Sequence, residues 1–69
     1  MKVLSGKEVC KLLESYGFKN VRQKGSHVIM QKQIGITTIS VPVPMHKEIK
    51  VGTLMSIIRQ SGLEKSDFE

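Results

Sequence analysis

Three glycines divide the middle of the chain into segments rich in strand-forming residues, and this division limits the fold more than any other feature. Gly17 follows a helical pattern and is placed to end that helix in a left-handed turn. Gly25 and Ser26 mark a turn, and Gly35 breaks the segment that follows. The pattern predicts three strands, over residues 18–24, 27–33 and 36–43.

Two prolines set the place of the third strand in the sheet. Ile39, Val41 and Val43 alternate with Thr, Ser and Pro, which is the period of a half-buried strand. Proline has no N–H to donate to a ladder. We therefore expect this strand to end near Pro42 and Pro44 and to lie at an edge.

A well-marked helix precedes the strands. Ser5 and Glu8 form an S-x-x-E capping box, in which each side chain satisfies the other residue's free backbone N–H. Leu4 and Val9 stand where a hydrophobic staple would pack. The apolar residues that follow at helical spacing are Val9, Leu12, Leu13 and Tyr16.

A second helix is predicted after a polar connection over residues 45–51. It opens at Gly52 and Thr53 and closes at Gly62. Its apolar face consists of Leu54, Ile57 and Ile58. Two amphipathic helices need one shared apolar surface. The sequence therefore predicts one α+β domain over residues 1–69, in the order α-β-β-β-α, with a three-stranded antiparallel sheet and both helices on one face. This is the element order of a double-stranded-RNA-binding domain, although such an order assigns no chemistry.

The composition and the first residues of the sequence indicate the cellular compartment of the protein. No apolar run approaches the ~18 residues that a membrane span needs, and the first residues lack the features of a signal peptide. Cys10 is the only cysteine in the sequence, so an internal disulfide is impossible, as is usual in a reducing compartment. We interpret Cys10 as a small, partly buried helix residue. These features predict a cytoplasmic protein with no membrane partner.

The positive charge is concentrated in the first half of the chain. The formal net charge is +5; residues 1–34 carry seven Lys and Arg against two acids, and residues 35–69 carry four against four. The bases between Phe18 and Ile34 are Lys19, Arg22, Lys24 and Lys32, with no acid among them. Such a stripe attracts nucleic acid or an acidic protein. A solvated basic surface explains the charge alone equally well.

Few side chains offer catalytic or metal-binding chemistry. His27, His46 and Cys10 do not have the spacing of a zinc site, which needs four ligands. The carboxylates are scattered, which argues against a two-metal nuclease. The glycines form neither a P-loop nor a dinucleotide-binding fingerprint. We therefore expect no metal and no cofactor.

His27 remains as the candidate catalytic residue. Period-two alternation places Val28 and Met30 on one face of the strand and His27 with Ile29 on the other, although the apolar Ile29 makes this assignment ambiguous. A histidine can take the proton of an RNA 2′-hydroxyl as a general base, while nearby cations hold the phosphate. The same pattern also fits a strand histidine without any role.

Three blocks of sequence resemble the HicA (YcfA-like) family of toxins. The segment from Gly17-Phe18 to Gly25-Ser26-His27 is similar to that family's glycine–phenylalanine start and Gly-Ser-His motif. A second signature is matched by Val41-Pro42, His46 and Gly52-Thr53-Leu54, and the N-terminal match is Leu4-Ser5-Gly6. The likeness covers nearly all of residues 1–68, and the blocks occur in the family's order.

The resemblance implies an mRNA interferase with the double-stranded-RNA-binding fold and a HicB-type antitoxin that blocks its site. It matches His27 to the family's catalytic histidine. His46 matches the second signature, where no catalytic role follows, and we interpret it as a loop or capping residue. We expect the antitoxin to present an acidic surface. The residues expected to contact RNA are Arg22, Lys24, Ser26 and Lys32.

One alternative function remains open. A non-catalytic RNA-binding module would use the same fold and basic stripe, but it would not require the sequence context of His27.

The turn Ile34-Gly35-Ile36 is apolar where the family is often polar. We interpret it as a satellite contact of the core, and a contact with the antitoxin is the alternative.

Overall fold

The structure is a computed structural model that describes residues 3–69. Met1 and Lys2, which belong to the predicted domain, lie outside the described residues. Within this range the element order confirms the predicted α+β arrangement, whereas the kinship with double-stranded-RNA-binding domains stays a prediction. The elements are α1 (Gly6–Ser15), β1 (Lys19–Lys24), β2 (His27–Ile34), β3 (Thr37–Pro44), α2 (Val51–Ser61) and a 3-10 turn (Lys65–Phe68).

The first helix begins and ends as its sequence predicts. The Ser5 hydroxyl accepts a hydrogen bond from the Glu8 N–H (3.1 Å), and the Glu8 carboxylate accepts one from the Ser5 N–H (2.9 Å). Leu4 and Val9 are both buried, as a hydrophobic staple requires. The chain leaves α1 through Gly17, whose φ of 97° lies in the region that favours glycine.

The three strands form an antiparallel sheet in the order β1-β2-β3, so β3 lies at an edge, as the prolines predict. Each hairpin turns in two residues, between Lys24 and His27 and between Ile34 and Thr37. The first residue of each turn is a glycine, Gly25 at φ 60° in one and Gly35 at φ 61° in the other. A glycine with positive φ at this position is typical of a type II′ turn, which matches the twist of the flanking strands.

Both helices cover the same face of the sheet. Val28 and Met30 of β2 and Val41 and Val43 of β3 are buried, whereas the residues between them on β2 are more exposed. The predicted apolar face of α2 is buried against these strands. The other buried apolar residues that complete this core are Leu4, Val9, Leu13, Phe18, Ile49 and Phe68.

The connection between β3 and α2 contributes more to the core than its polar composition predicts. Ile49 is buried, and its N–H donates a hydrogen bond to the Leu4 carbonyl (2.8 Å). This bond draws the connection back across the start of α1. The helix α2 then begins at Val51, one residue before the predicted opening, and ends at Gly62 in the left-handed conformation.

Two apolar positions of the sheet remain exposed, and the expectation made for the second of them is wrong. Val21, in the middle of β1, lies at a bulge between Asn20 and Arg22 and is half exposed. The turn Ile34-Gly35-Ile36 is not a satellite contact of the core, because Ile36 is 102% exposed. A two-residue turn directs its residues away from the sheet, and no other element of the described chain folds over this one.

None of the helices within residues 3–69 is long and apolar enough to cross a membrane.

Candidate active site

His27 is the first residue of β2 and follows directly on the Gly25-Ser26 turn. Its side chain is exposed, whereas Val28 and Met30 are buried against the helices. Because successive side chains of a strand point to opposite faces, His27 lies on the face that the helices leave open. Ile29 shares that face and is only partly buried, which removes the ambiguity that the sequence left.

Two of the predicted RNA contacts lie on the same open face. Lys24 is the direct cross-strand partner of His27, and Arg22 is the partner of Ile29. Directly paired residues of an antiparallel sheet point to the same side. The bulge at Val21 gives β1 one extra residue, and the register beyond it places both cations beside the histidine.

Ser26 holds the turn against the end of β3 through its backbone. Its carbonyl oxygen accepts a hydrogen bond from the Met45 N–H (2.7 Å). The side chain of Ser26 is exposed beside His27. The turn that carries the predicted site is thus fixed on both sides, by β1 and by the segment that follows β3.

Lys32 is not brought to this site. It lies on the helix side of β2, and its ammonium nitrogen is 5.8 Å from the centre of the Phe18 ring. Phe18 is buried at the end of α1, so Lys32 covers an edge of the core with its aliphatic stem. The structure therefore separates Lys32 from His27 by the thickness of the sheet and most of the length of β2.

The structure places His46 beside His27. Both residues line one cleft of about 320 Å³. The histidines are far apart in sequence, and the reasoning from sequence gave His46 only a loop or capping role. The register of the β2–β3 hairpin was the available signal, because a two-residue turn at Gly35 pairs His27 with Pro44. The other residues that line the cleft are Pro44, Glu48, Ile49, Lys50 and Thr53.

Gly6 allows the segment that carries His46 to approach α1. The Gly6 N–H donates to the His46 carbonyl (2.9 Å). A Cβ atom on Gly6 would collide with the Pro44 carbonyl oxygen and would stand 2.8 Å from the Met45 Cα. Since both obstacles are backbone atoms, they cannot move without displacing the segment.

Cys10 lacks the environment of a reactive thiol. Burial raises the pKa of Cys10, and the nearby Glu14 carboxylate raises it further. Both effects favour the neutral thiol, which is a poor nucleophile. Within residues 3–69, no group of three or more His, Cys, Asp or Glu side chains is arranged to hold a metal ion.

Comparison with protein families identifies the chain. Residues 6–63 match the family model described as the HicA toxin of bacterial toxin–antitoxin systems. The chain belongs to the HicA toxin family. Neither the curated proteins nor the solved structures give a significant match.

The match to the HicA family spans both histidines, Arg22 and Lys24 of the open face, and Gly6, whose contact holds the segment of His46 in place. Membership in this family makes the protein the toxin of a toxin–antitoxin system, which has an antitoxin as its partner.

Proposed function

We propose that this HicA toxin is a metal-independent endoribonuclease, an mRNA interferase, in which His27 is the general base. The observation that carries the proposal is the pairing of His27 with Lys24 at the Gly25-Ser26 turn, on the open face of the sheet. His27 and Lys24 thus place a base and a cation side by side, where a polyanion can reach them. The family match supports an RNA-cleaving toxin, and the Gly-Ser-His motif supports His27 as its base.

The chemistry follows from the groups on this face. The neutral imidazole of His27 takes the proton of an RNA 2′-hydroxyl, and the 2′-oxygen attacks the adjacent phosphorus. Lys24 and Arg22 stabilise the negative charge that grows on the phosphate oxygens. The bond from phosphorus to the 5′-oxygen breaks. The products carry a 2′,3′-cyclic phosphate and a 5′-hydroxyl.

An RNA with a single 2′-deoxy nucleotide immediately 5′ of the cleaved bond tests this proposal. We expect that bond to resist cleavage while the other bonds are cut at their normal rates. DNA of the same sequence should bind without being cut, because phosphate contacts do not depend on the sugar. Cleavage of the deoxy-substituted bond at the normal rate would refute the mechanism. Binding of RNA without any cleavage would indicate the non-catalytic module instead.

We further propose that cleavage needs no metal, because His27 supplies the base and the RNA supplies its own nucleophile. Cleavage should therefore proceed at an unchanged rate in EDTA. A loss of activity in EDTA that magnesium or manganese restores would contradict this. A digest of one RNA with and without chelator is sufficient.

The antitoxin is proposed to cover the open face in the cytoplasm with an acidic surface. Lys19, Arg22 and Lys24 share this face and supply the complementary charge. Complementary charges accelerate association, and salt screens them. Purification from the native host should recover a small acidic protein that associates with the toxin more slowly as salt is raised. An association rate independent of salt, or overexpression of the chain alone without toxicity, would count against this proposal.

A further inference from the structure

We infer that His46 is a second catalytic residue, the general acid that protonates the leaving 5′-oxygen. The inference rests on the proposed ribonuclease activity and assigns a chemical role to a residue that the sequence motifs leave without one. It depends on three features of the structure: the cleft that the two histidines share, the backbone that fixes them and the charges around them.

The shared cleft is the first of these features. His27 and His46 line the same cavity of about 320 Å³, together with Thr53 and Lys50 at the start of α2. This volume is within the range of sites that bind small molecules. Two imidazoles on one cleft allow one group to remove a proton while the other delivers one to the same phosphodiester.

The backbone fixes both histidines relative to one another. His27 pairs with Pro44 in the β2–β3 ladder, and the Met45 N–H donates to the Ser26 carbonyl at 2.7 Å. The His46 carbonyl accepts from the Gly6 N–H at 2.9 Å. His46 is therefore attached to the sheet on one side and to α1 on the other. An acid–base pair requires such fixed positions, because small displacements cost much of the rate.

The reaction balances with these two groups alone. His27 accepts the 2′-hydroxyl proton as the 2′-oxygen forms its bond to phosphorus. The bond from phosphorus to the 5′-oxygen breaks, and the electron pair stays on that oxygen. The protonated imidazole of His46 donates its proton there. The RNA leaves as a 2′,3′-cyclic phosphate and a 5′-hydroxyl, and solvent returns both imidazoles to their starting states.

Charged groups surround this pair on several elements. Lys24 of β1 stands opposite His27, and Glu48 and Lys50 line the cleft itself. Lys7 and Lys47 line a second cleft on the other side of His46. The acid–base assignment predicts a bell-shaped dependence of kcat/KM on pH, because cleavage needs one imidazole neutral and the other protonated.

An RNA substrate with a sulfur-based leaving group tests the role of His46. In this substrate sulfur replaces the 5′-oxygen of one mapped cleavage site, so that the leaving thiolate needs no proton. On the ordinary RNA we expect His46→Ala to lower the rate by about 10²–10⁴-fold, the usual contribution of a general acid. On the sulfur substrate its rate should match that of the unsubstituted protein. His27→Ala should be slow on both substrates, because both need the base.

The results separate this inference from the proposed function. Ordinary cleavage by His46→Ala, or an equally slow rate on both substrates, would overturn the role of His46 and leave the nuclease proposal in place. Rescue of His27→Ala by the sulfur substrate would also overturn it, because the two roles would then be exchanged. Cleavage by His27→Ala at the normal rate would instead remove the proposed function.

A second variant and a control keep the test independent of folding. His46→Gln retains a hydrogen-bonding side chain without an acidic proton, and it should give the same substrate pattern as His46→Ala. It should also lose the alkaline limb of the pH profile on ordinary RNA. An alkaline limb that persists in His46→Gln would contradict the assignment. Lys65→Ala removes a charge from the 3-10 turn, which lines neither cleft, and should cleave normally. Melting curves check that each variant is folded.

Discussion

The two ends of β2 have the same local geometry and different surroundings. At one end Gly25 begins a two-residue turn before His27, and at the other Gly35 begins one after Ile34. Both glycines have φ near 60°. The first turn is held by the Met45 N–H and opens onto a cleft, whereas the second projects into solvent with Ile36 fully exposed.

This difference shows that the turn alone does not make the site. What distinguishes the first end is the segment after β3, which folds back between the turn and α1 and carries His46 into the cleft. The second end has no such segment over it in the described part of the chain.

RNA cleavage should depend on the side chain of β2 at the first end, His27, and not on the side chain at the other end. We expect His27→Ala to lower RNA cleavage by about 10²–10⁴-fold, as loss of a general base does, and to abolish toxicity in a growing host. Gln33→Ala is the matched control, because Gln33 lies on the same face of β2 at the other end. It should cleave normally. Circular dichroism and melting curves should show both variants folded; a large loss of stability in His27→Ala would indicate a structural role.

The stability of the protein should be sensitive to a methyl group added at Gly6, which lies in close contact with the segment after β3. In Gly6→Ala the added Cβ meets the backbone of Pro44 and Met45, and we expect the free energy of unfolding to fall by about 1–3 kcal/mol. Gly52→Ala is the control, because a Cβ there meets no atom within 4 Å. It should raise the free energy of unfolding by about 0.4–1 kcal/mol. Equal effects in urea unfolding would show that the segment is not tightly held.

The two turn glycines should have equal effects on stability and different effects on activity. A Cβ at Gly25 or Gly35 meets open space, so each substitution to Ala costs only the strain of a positive φ, about 1–2 kcal/mol. Gly25→Ala should also slow cleavage by up to about 10²-fold, because it displaces His27. Gly35→Ala should not. If both variants slowed cleavage equally, the two ends would not differ in function.

Lys24 and Lys32 should differ in their contribution to RNA binding, because they lie on opposite faces of the sheet. Lys24→Ala should reduce the slope of log K against log salt for RNA binding by about 0.7, the value of one phosphate contact to a single strand. Lys32→Ala should leave the slope unchanged, because Lys32 lies on the other face against Phe18. A reduced slope in Lys32→Ala would support the RNA contact that the sequence predicts for it. Titrations at several salt concentrations measure both.

The smallest effect is expected at the far end of α1. The Tyr16 hydroxyl donates a hydrogen bond to the Asp67 carboxylate (2.9 Å), and this bond raises the pKa of Tyr16 above its ordinary value of 10.0. A raised pKa means that the stabilisation is present below about pH 10 and is lost as the pH rises through the raised value. Tyr16→Phe should therefore lower Tm slightly at neutral pH, and the difference should vanish in strong alkali. A Tm difference that persists there would assign it to packing.

The sequence by itself determined the elements, because their signals are local. The capping box of Ser5 and Glu8, the positive-φ glycines and the period-two pattern of β2 depend on neighbours within a few residues. The edge position of β3 followed from its prolines, since a missing N–H is a property of the residue itself. The period-two pattern allowed an exposed His27, but Ile29 left its face ambiguous until the structure showed Val28 and Met30 buried.

Tertiary structure alone decided what surrounds those elements. The meeting of His46 with His27, the burial of Ile49 and the placing of Lys32 over Phe18 all join segments that are distant in the chain. A local pattern fixes which face of a strand a residue occupies. It does not show which distant segment will cover that face, because this depends on the path of the connection between β3 and α2 and on the space that Gly6 leaves for it.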